Sequence, residues 1–375
     1  LANIAVLMAG RVPVNLNFTV GKEALEAAIA QARIRTILTS RTFLKKASLP
    51  ELPGMVFLEE LRKDIGRGSK IAALLQARLM PTAWLRRRLG GNLTSDALAT
   101  VIFSSGSTGI PKGVMITHAN ILANVDSLAQ IFRMDASDCF IGVLPFFHSF
   151  GLTGTLWFPM LQGARVAYHP NPLDAKTVGE LAAAHQAKML ISTPTFCTSY
   201  LRRCTPEQFA HLKYAIVGAE KLRPALAAAF REQFGVDLLE GYGCTEMSPV
   251  VSVNLPDVEN LRERQIGTKA GSVGHPIPGV AARIVDQETG EGPLFDREGL
   301  LLVKGPNLMA GYLDQPQKTA EVMRDGWYVT GDVVRRDAQG FFFFVGRDDD
   351  MIVCGGENVY PGEIEKLLER HPSVG

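Results

Sequence analysis

Apolar positions along the chain recur with two alternating periods. The stretches VGKEALEAAIAQA, AKTVGELAAAHQA and RPALAAAFREQF space their aliphatic residues as helices do, and each precedes a short β-rich run: TILTS, KMLIS and VDLLEGYG. Helix and strand taking turns in this way predicts βαβ units and parallel sheets. From about Gly271 the texture changes. SVGHPIPGVAARIVD, GLLLVKGPNLMAGYL and GFFFFVGR are short strands broken by Gly and Pro, which predicts an antiparallel β subdomain with little helix. At GRDDDMIVCGGENVYPGEIEKLL a charged turn leads to a strand, a Gly-Gly turn and a helix starting near Pro361. The fold class expected is α/β. A large domain over 1–346 would hold two βαβ-type subdomains and the antiparallel subdomain, and a small α+β domain would begin at 347–375. Leu1 opens in mid-pattern and Gly375 closely follows a helical run, so both chain ends read as truncated.

Composition narrows the possible functions. The 375 residues are 46% hydrophobic with a formal charge of +1, enough to bury a large core and too balanced for a general nucleic-acid binder. The five cysteines, at 139, 197, 204, 244 and 354, show neither CxxC spacing nor clustering, so no zinc site or disulfide framework is expected, and a cytoplasmic location fits. No apolar run has the length of a membrane-spanning helix, and no basic stretch precedes the first apolar segment as in a signal peptide. One segment stands apart. Between Arg62 and Arg88, eight Lys/Arg face a single acidic residue, Asp64, with apolar stretches such as IAALLQARLM between them. A solvated helix face is one reading; a surface for an acidic partner, or for peripheral attachment to the inner face of the cell membrane, is the other.

Five stretches carry candidate chemistry. SSGSTGIPKG, residues 104–113, follows the apolar run ALATVIF; its small residues let backbone amides approach a ligand, its hydroxyls add donors and Lys112 adds a point charge. It lacks the Walker spacing, since Pro111 precedes the lysine and Gly113 follows it, so it is a phosphate loop of another kind or a plain turn. In LPFFHSFG, His148 lies amid three phenylalanines, a setting that favours neutral imidazole. LEGYGCTE offers an aromatic face in Tyr242, a hydroxyl in Thr245 and a carboxylate in Glu246 suited to Mg²⁺, or else a strand and a turn. WYVTGD ends its strand at Asp332, a carboxylate able to accept two ribose hydroxyls. In GRDDDMIVCGGENVYP, Arg347 can donate to the same sugar or to a phosphate, and Gly355-Gly356 allows close backbone approach.

Together and in this order, these stretches resemble the motifs of the adenylate-forming ligase superfamily, which includes acyl-CoA synthetases and acyl-carrier-protein synthetases. The resemblance implies ATP and Mg²⁺ as cofactors, with CoA or the phosphopantetheine of a carrier protein as acceptor. It implies that Ser104, Ser105, Ser107 and Thr108 donate to ATP phosphates while Lys112 supports departing pyrophosphate. Gly218, Ala219 and Glu220 would flank the adenine on which Tyr242 stacks beside Gly241, Thr245 would touch the α-phosphate, and Glu246 would hold the metal. Asp332 and Arg347 would fix the ribose, and His148 would sit where the acyl carboxylate meets the thiol. Asp349 would be the hinge of the small domain, a lid, and Gly355 and Gly356 would line the thiol tunnel. The family's adenylation lysine would lie beyond Gly375, which implies slow adenylation by this chain alone.

Within the superfamily, RVPVNLNFT, TSRTFLKKA, VGAEKL and GTKAGSVGHPIPGV resemble the synthetase half of the 2-acylglycerophosphoethanolamine acyltransferase/acyl-carrier-protein synthetases, whereas the tail from Gly346 is more like general acyl-CoA ligases. A long-chain fatty acid is therefore the expected substrate, with acyl-carrier protein slightly favoured over CoA. A general ligase for another carboxylic acid and a catalytically silent nucleotide-binding fragment remain alternatives. A hydrolase built on His148 and Ser149 is disfavoured, because neighbours in a strand point to opposite faces and no GxSxG occurs.

Overall fold

The computed structural model describes residues 1–90, 93–104, 111–259, 264–350, 352–354 and 357–359, with Pro361, Ile364 and Leu368. The chain packs as two compact units, residues 1–119 with 310–316 and residues 120–309 with 317–375.

The first unit holds α1 (Ala2–Met8), α2 (Lys22–Gln31), β1 (Ile37–Thr39), α3 (Arg41–Ala47), β2 (Met55–Phe57), α4 (Leu58–Asp64), α5 (Arg67–Leu79), α6 (Thr82–Gly90), β3 (Leu98–Ser104) and β4 (Lys112–Thr117). Strands β1 and β2 pair in parallel across α3, a minimal βαβ unit. The apolar run ALATVIF becomes β3, buried from Ala99 to Ile102 and paired antiparallel with β4. Behind β4 lies the returning strand β16 (Gly311–Tyr312).

The second unit is built on a seven-stranded sheet. It contains α7 (His118–Ile131), β5 (Cys139–Gly142), α8 (Ser149–Leu152), α9 (Phe158–Gln162), β6 (Arg165–Tyr168), α10 (Ala175–Ala184), β7 (Met189–Ser192), α11 (Pro194–Arg203), β8 (Tyr214–Val217), α12 (Pro224–Phe234), β9 (Leu238–Gly243) and β10 (Val250–Val253). After a small hairpin of β11 (Val258–Glu259) and β12 (Arg264–Gln265) comes β13 (His275–Pro276). The order across the sheet is β13-β10-β9-β8-β7-β5-β6, with β6, β5, β7, β8 and β9 parallel. All residues of β5, β7 and β8 are buried, which is why these strands read as continuous apolar runs rather than alternating ones. Alternate residues fill opposite layers. Ile141, Leu190 and Val217 pack with Val178 of α10, Tyr200 of α11 and Phe230 of α12. On the other face Phe140 meets Phe158 edge-on at 5.5 Å, and Tyr214 meets Phe132 at 5.2 Å. The expected helix–strand alternation is thus realised, and β10 and β13 extend the parallel sheet with antiparallel strands.

The antiparallel subdomain expected beyond Gly271 comprises β14 (Ala281–Val285), β15 (Glu298–Lys304), β17 (Met323–Arg324), β18 (Trp327–Arg336) and β19 (Phe342–Arg347). Its helical content is α13 (Pro316–Glu321). Beyond Arg347, the expected strand is β20 (Ile352–Cys354), which pairs antiparallel with β21 (Glu357–Val359), so a second strand precedes the helical Pro361; the expected Gly-Gly turn lies outside the described residues.

Candidate active site

In a parallel sheet the strands' carboxyl ends share one edge, where chain reversals expose backbone and short side chains, and β5 lies between β6 and β7, the point where strand order reverses. Four segments of the second unit leave the sheet there: the turn to His148 after β5, Thr193–Thr195 after β7, Gly218–Glu220 after β8, and the end of β9.

His148 and Ser149 begin a helix, which corrects the strand expected for them: His148 is the N-cap of α8. The turn is forced by close packing, since a β-carbon at Gly151 would stand 2.3 Å from the Pro145 carbonyl oxygen. The imidazole lies against Phe147 with 4.7 Å between ring centroids; the residue as a whole is exposed, and partial desolvation of the ring lowers its pKa, favouring the neutral form. Ser149 Oγ is 3.3 Å from Thr245 Oγ1. The helix then widens into a π-turn over Thr153–Trp157, where the Thr153 hydroxyl donates to the Ser248 carbonyl at 2.9 Å.

The loop after β8 holds Ala219 in the left-handed region at φ +68°, a conformation that costs a non-glycine residue energy. A β-carbon at Gly218 would lie 3.3 Å from the Gly241 carbonyl oxygen, so the β8 loop and β9 touch backbone to backbone. Glu220 turns its carboxylate to the start of α11, accepting from the Thr195 amide at 3.1 Å and the Thr195 hydroxyl at 2.6 Å. Glu240 is buried in β9 and accepts from the Leu222 amide at 3.0 Å; burial raises its pKa to about 7.

The end of β9 meets β18 and β19. The Tyr242 phenol donates to Asp332, Asp332 lies 3.4 Å from an Arg347 guanidinium nitrogen, and Arg347 Nε donates to Asp349 at 3.1 Å. Asp332 and Arg347 are register partners across β18–β19. Asp332 does not end its strand as expected, because β18 runs on to Arg336; Gly331, at φ +76°, takes the backbone through a kink that a side chain would oppose. Burial raises the Asp332 pKa more than the Tyr242 hydrogen bond and Arg347 lower it, and Glu246 raises it further. Burial also drives the Tyr242 and Cys244 pKa values far up, and Asp332 contributes to both shifts. Asp332 thus lies at the electrostatic centre of a group with Tyr242, Cys244 and Arg347. Glu246 is buried, and its carbonyl accepts from the Met309 amide at 2.7 Å.

In the first unit, Ser104 faces Lys112 across β3–β4, closing the two ends of the SSGSTGIPKG stretch, and the Lys112 ammonium lies 5.6 Å from the Tyr312 ring centroid. Gly113 is dictated by packing: a β-carbon there would stand 3.2 Å from Leu313, Phe103 and Val101.

A family model described as AMP-binding enzyme matches residues 1–313, more than four-fifths of the chain. The chain belongs to the AMP-binding enzyme family. Among curated relatives of this AMP-binding enzyme, a long-chain-fatty-acid–CoA ligase of Bacillus subtilis is 34% identical over 281 residues, covering 74% of this chain and 49% of the relative. A mitochondrial medium-chain acyl-CoA ligase of Rattus norvegicus is 32% identical over 331 residues, covering 86% of this chain and 51% of the relative. The chain thus spans about half the length of the curated relatives it matches. Among solved structures, the o-succinylbenzoate CoA synthetase of Bacillus subtilis with its acyl-adenylate intermediate superposes with a TM-score of 0.81 at 25% identity, over 99% of this chain and 70% of that one. ATP-bound MatB from Rhodopseudomonas palustris superposes with a TM-score of 0.77 at 27% identity, over 99% and 70%.

In this AMP-binding enzyme Ser105, Ser107, Thr108, Gly355 and Gly356 lie outside the described residues. Sequence reasoning passed over Thr195 and Glu240, and weighed Ser149 only in a disfavoured hydrolase. Glu240 carried a readable signal, an acid between the apolar Leu238-Leu239 and a glycine. The pairings of Ser149 with Thr245 and of Thr195 with Glu220 carried none, because the partners lie 96 and 25 residues apart.

Proposed function

We propose that this protein activates a fatty acid with ATP, forming an acyl-adenylate, and passes the acyl group to the thiol of coenzyme A. The observation that carries the reading is the bonded chain Tyr242–Asp332–Arg347 at the carboxyl edge of the parallel sheet, with Ser149 and Thr245 beside it. A buried carboxylate held between a phenol and a guanidinium suits a vicinal diol, and an aromatic face beside it suits a flat base.

Attack of one anion on another needs charge neutralisation and in-line placement more than covalent help. Asp332 and Arg347 would orient the ribose, Tyr242 the adenine beside Gly218, Ala219, Glu220 and Gly241, and the Thr245 hydroxyl an α-phosphate oxygen. Ser104, Ser105, Ser107, Thr108 and Lys112 would serve the outer phosphates. Glu246 fits magnesium: it is a hard oxygen donor in an acid-rich setting, and the described residues contain no group of three or more His, Cys, Asp or Glu that would hold a metal unaided. When bound there, magnesium would offset charge on the phosphates. His148, its pKa lowered, adds no positive charge to trap the acyl carboxylate, and Phe147 lies against one side of its exposed ring. Asp349, tied to Arg347, would be the hinge for a lid beginning at residue 347, with Gly355 and Gly356 on the thiol path.

The relatives named as CoA ligases favour CoA as acceptor. Transfer to acyl-carrier protein is the second reading, favoured by the sequence likeness spanning residues 10–280. Two measurements test this. A long-chain acyl-sulfamoyl adenosine should raise the melting midpoint with concentration, through about 2.7 kcal/mol of added stability at a hundredfold excess over Kd, while its aromatic counterpart gives less. Loading of both acceptors by the intact protein then separates them: an enzyme charging carrier protein alone would overturn the CoA assignment, and absence of any acyl-adenylate binding would overturn the function.

A further inference from the structure

Helices α4 to α6 show a feature that the ligase reading does not use. Every residue from Arg62 to Trp84 is exposed, and α5 buries none of its thirteen residues. A helix of this length in water is marginal without a tertiary partner, and its own sequence intensifies the problem. Ile71, Leu74, Leu75 and Leu79 recur at helical spacing and are 59, 61, 50 and 70% exposed. Ile65, Met80, Trp84 and Leu89 continue the exposed apolar surface on either side. Around it stand eight Lys/Arg against Asp64 alone. Arg67 precedes Ile71 by one turn and Arg78 follows Leu74 by one turn, so cations bracket the aliphatic stripe, and the Arg88 guanidinium lies 5.2 Å from the Trp84 ring centroid.

We propose that α5 and α6 form a docking surface for an anionic lipid bilayer, lying in the interface with the Ile71–Leu79 stripe among the acyl chains and the basic residues at the headgroups. This stands independently of the ligase reading. Long basic side chains reach headgroup phosphates while their stems cover apolar surface, and an indole beside a guanidinium suits the same depth. The charge also selects among occupants. A second copy would bring the same cationic surface against itself. An acidic protein would satisfy the arginines and leave four aliphatic side chains without an apolar partner, whereas a bilayer with anionic lipid satisfies both. No helix of the described residues is long and apolar enough to cross a membrane, so the contact proposed lies along the surface.

The test is flotation of the whole protein with vesicles of phosphatidylcholine alone or with about a third phosphatidylglycerol. Binding is expected to the anionic vesicles and to fall with added salt. Leu74→Gln/Leu79→Gln should weaken it at least ~10-fold, because each leucine withdraws from hydrocarbon. Arg67→Glu/Arg78→Glu should weaken it at least ~10-fold through the surface potential. All four positions are solvent-exposed, and unchanged circular dichroism and melting confirm that both variants fold. Tryptophan emission should shift to the blue with anionic vesicles and stay put with the neutral ones, and Trp84→Phe should abolish the shift although Trp157 and Trp327 remain. Vesicle binding unmoved by both double substitutions would overturn the proposal. So would flotation with neither vesicle, capture by an acidic carrier protein in place of vesicles, or a dimer that only the leucine substitutions dissolve.

Discussion

The Tyr242 phenol donates its hydrogen bond to the carboxylate of Asp332, joining two residues 90 positions apart in the chain. Asp332 is buried and Tyr242 half-buried, so the carboxylate has little access to a replacement partner when the phenol is removed. Tyr242→Phe keeps the ring and strips the donor. The carboxylate then keeps its burial and loses part of its compensation, costing about 1–3 kcal/mol of stability. Urea denaturation of the two proteins measures this, and AMP titration should show ribose affinity falling with it. Equal midpoints would mean that solvent already serves Asp332.

Glu220 supplies a cap to α11 through Thr195. Glu220→Ala should cost about 1 kcal/mol in thermal unfolding, the usual worth of a lost N-cap. Because the carboxylate points at the helix start, AMP affinity should change by less than about threefold, within about 0.7 kcal/mol. A larger loss of affinity at intact stability would show that the side chain itself touches the nucleotide.

Glu240 should make stability depend on pH. Its folded pKa of about 7 lies above the ordinary 4.5, so its contribution is fully present below pH 4.5 and is lost as pH rises through about 7. The loss is on the order of 3 kcal/mol. Glu240→Gln still accepts from the Leu222 amide and stays neutral throughout. Relative to the variant, the parent protein should weaken between about pH 5 and pH 8, measured as the difference in urea midpoints.

Gly243→Ala should be poorly tolerated. The added β-carbon would stand 2.1 Å from the Pro249 carbonyl oxygen, in the reversal that carries Thr245 and Glu246. Backbone must move to admit it, at about 3 kcal/mol, and a calorimetric scan should show the lowered melting midpoint.

The sequence disclosed the fold wherever burial acts on a whole element. KMLIS carries the unbroken apolar run Met189–Ile191 because β7 is covered on both faces, and AKTVGELAAAHQA buries Val178, Gly179 and Ala182 along one side of α10. It was silent where a partner is chosen at a distance. VVSV does not reveal that β10 adds antiparallel to β9, since a reversal fixes that pairing. LPFFHSFG reads as a strand through His148 and Ser149 because its phenylalanines suit β structure, yet the need to turn back over β5 makes Ser149–Leu152 helical. WYVTGD suggested a strand end because glycine usually interrupts pairing, whereas Gly331 bends a strand that is paired on both sides. Of the candidate residues, Tyr242, Asp332 and Arg347 converge although no local pattern links them.

The wide turn at Thr153–Trp157 spends one residue more than an ordinary coil needs for the same climb. That surplus swings the downstream side chains by about 100°, the rotation of a single helical step. The histidine-bearing segment and the reversal at Ser248 thus keep time with each other through a miscount. Deleting one residue from the turn would tidy the spiral, leave every catalytic candidate chemically whole, and turn Phe158–Gln162 out of phase with the segment bound to Ser248.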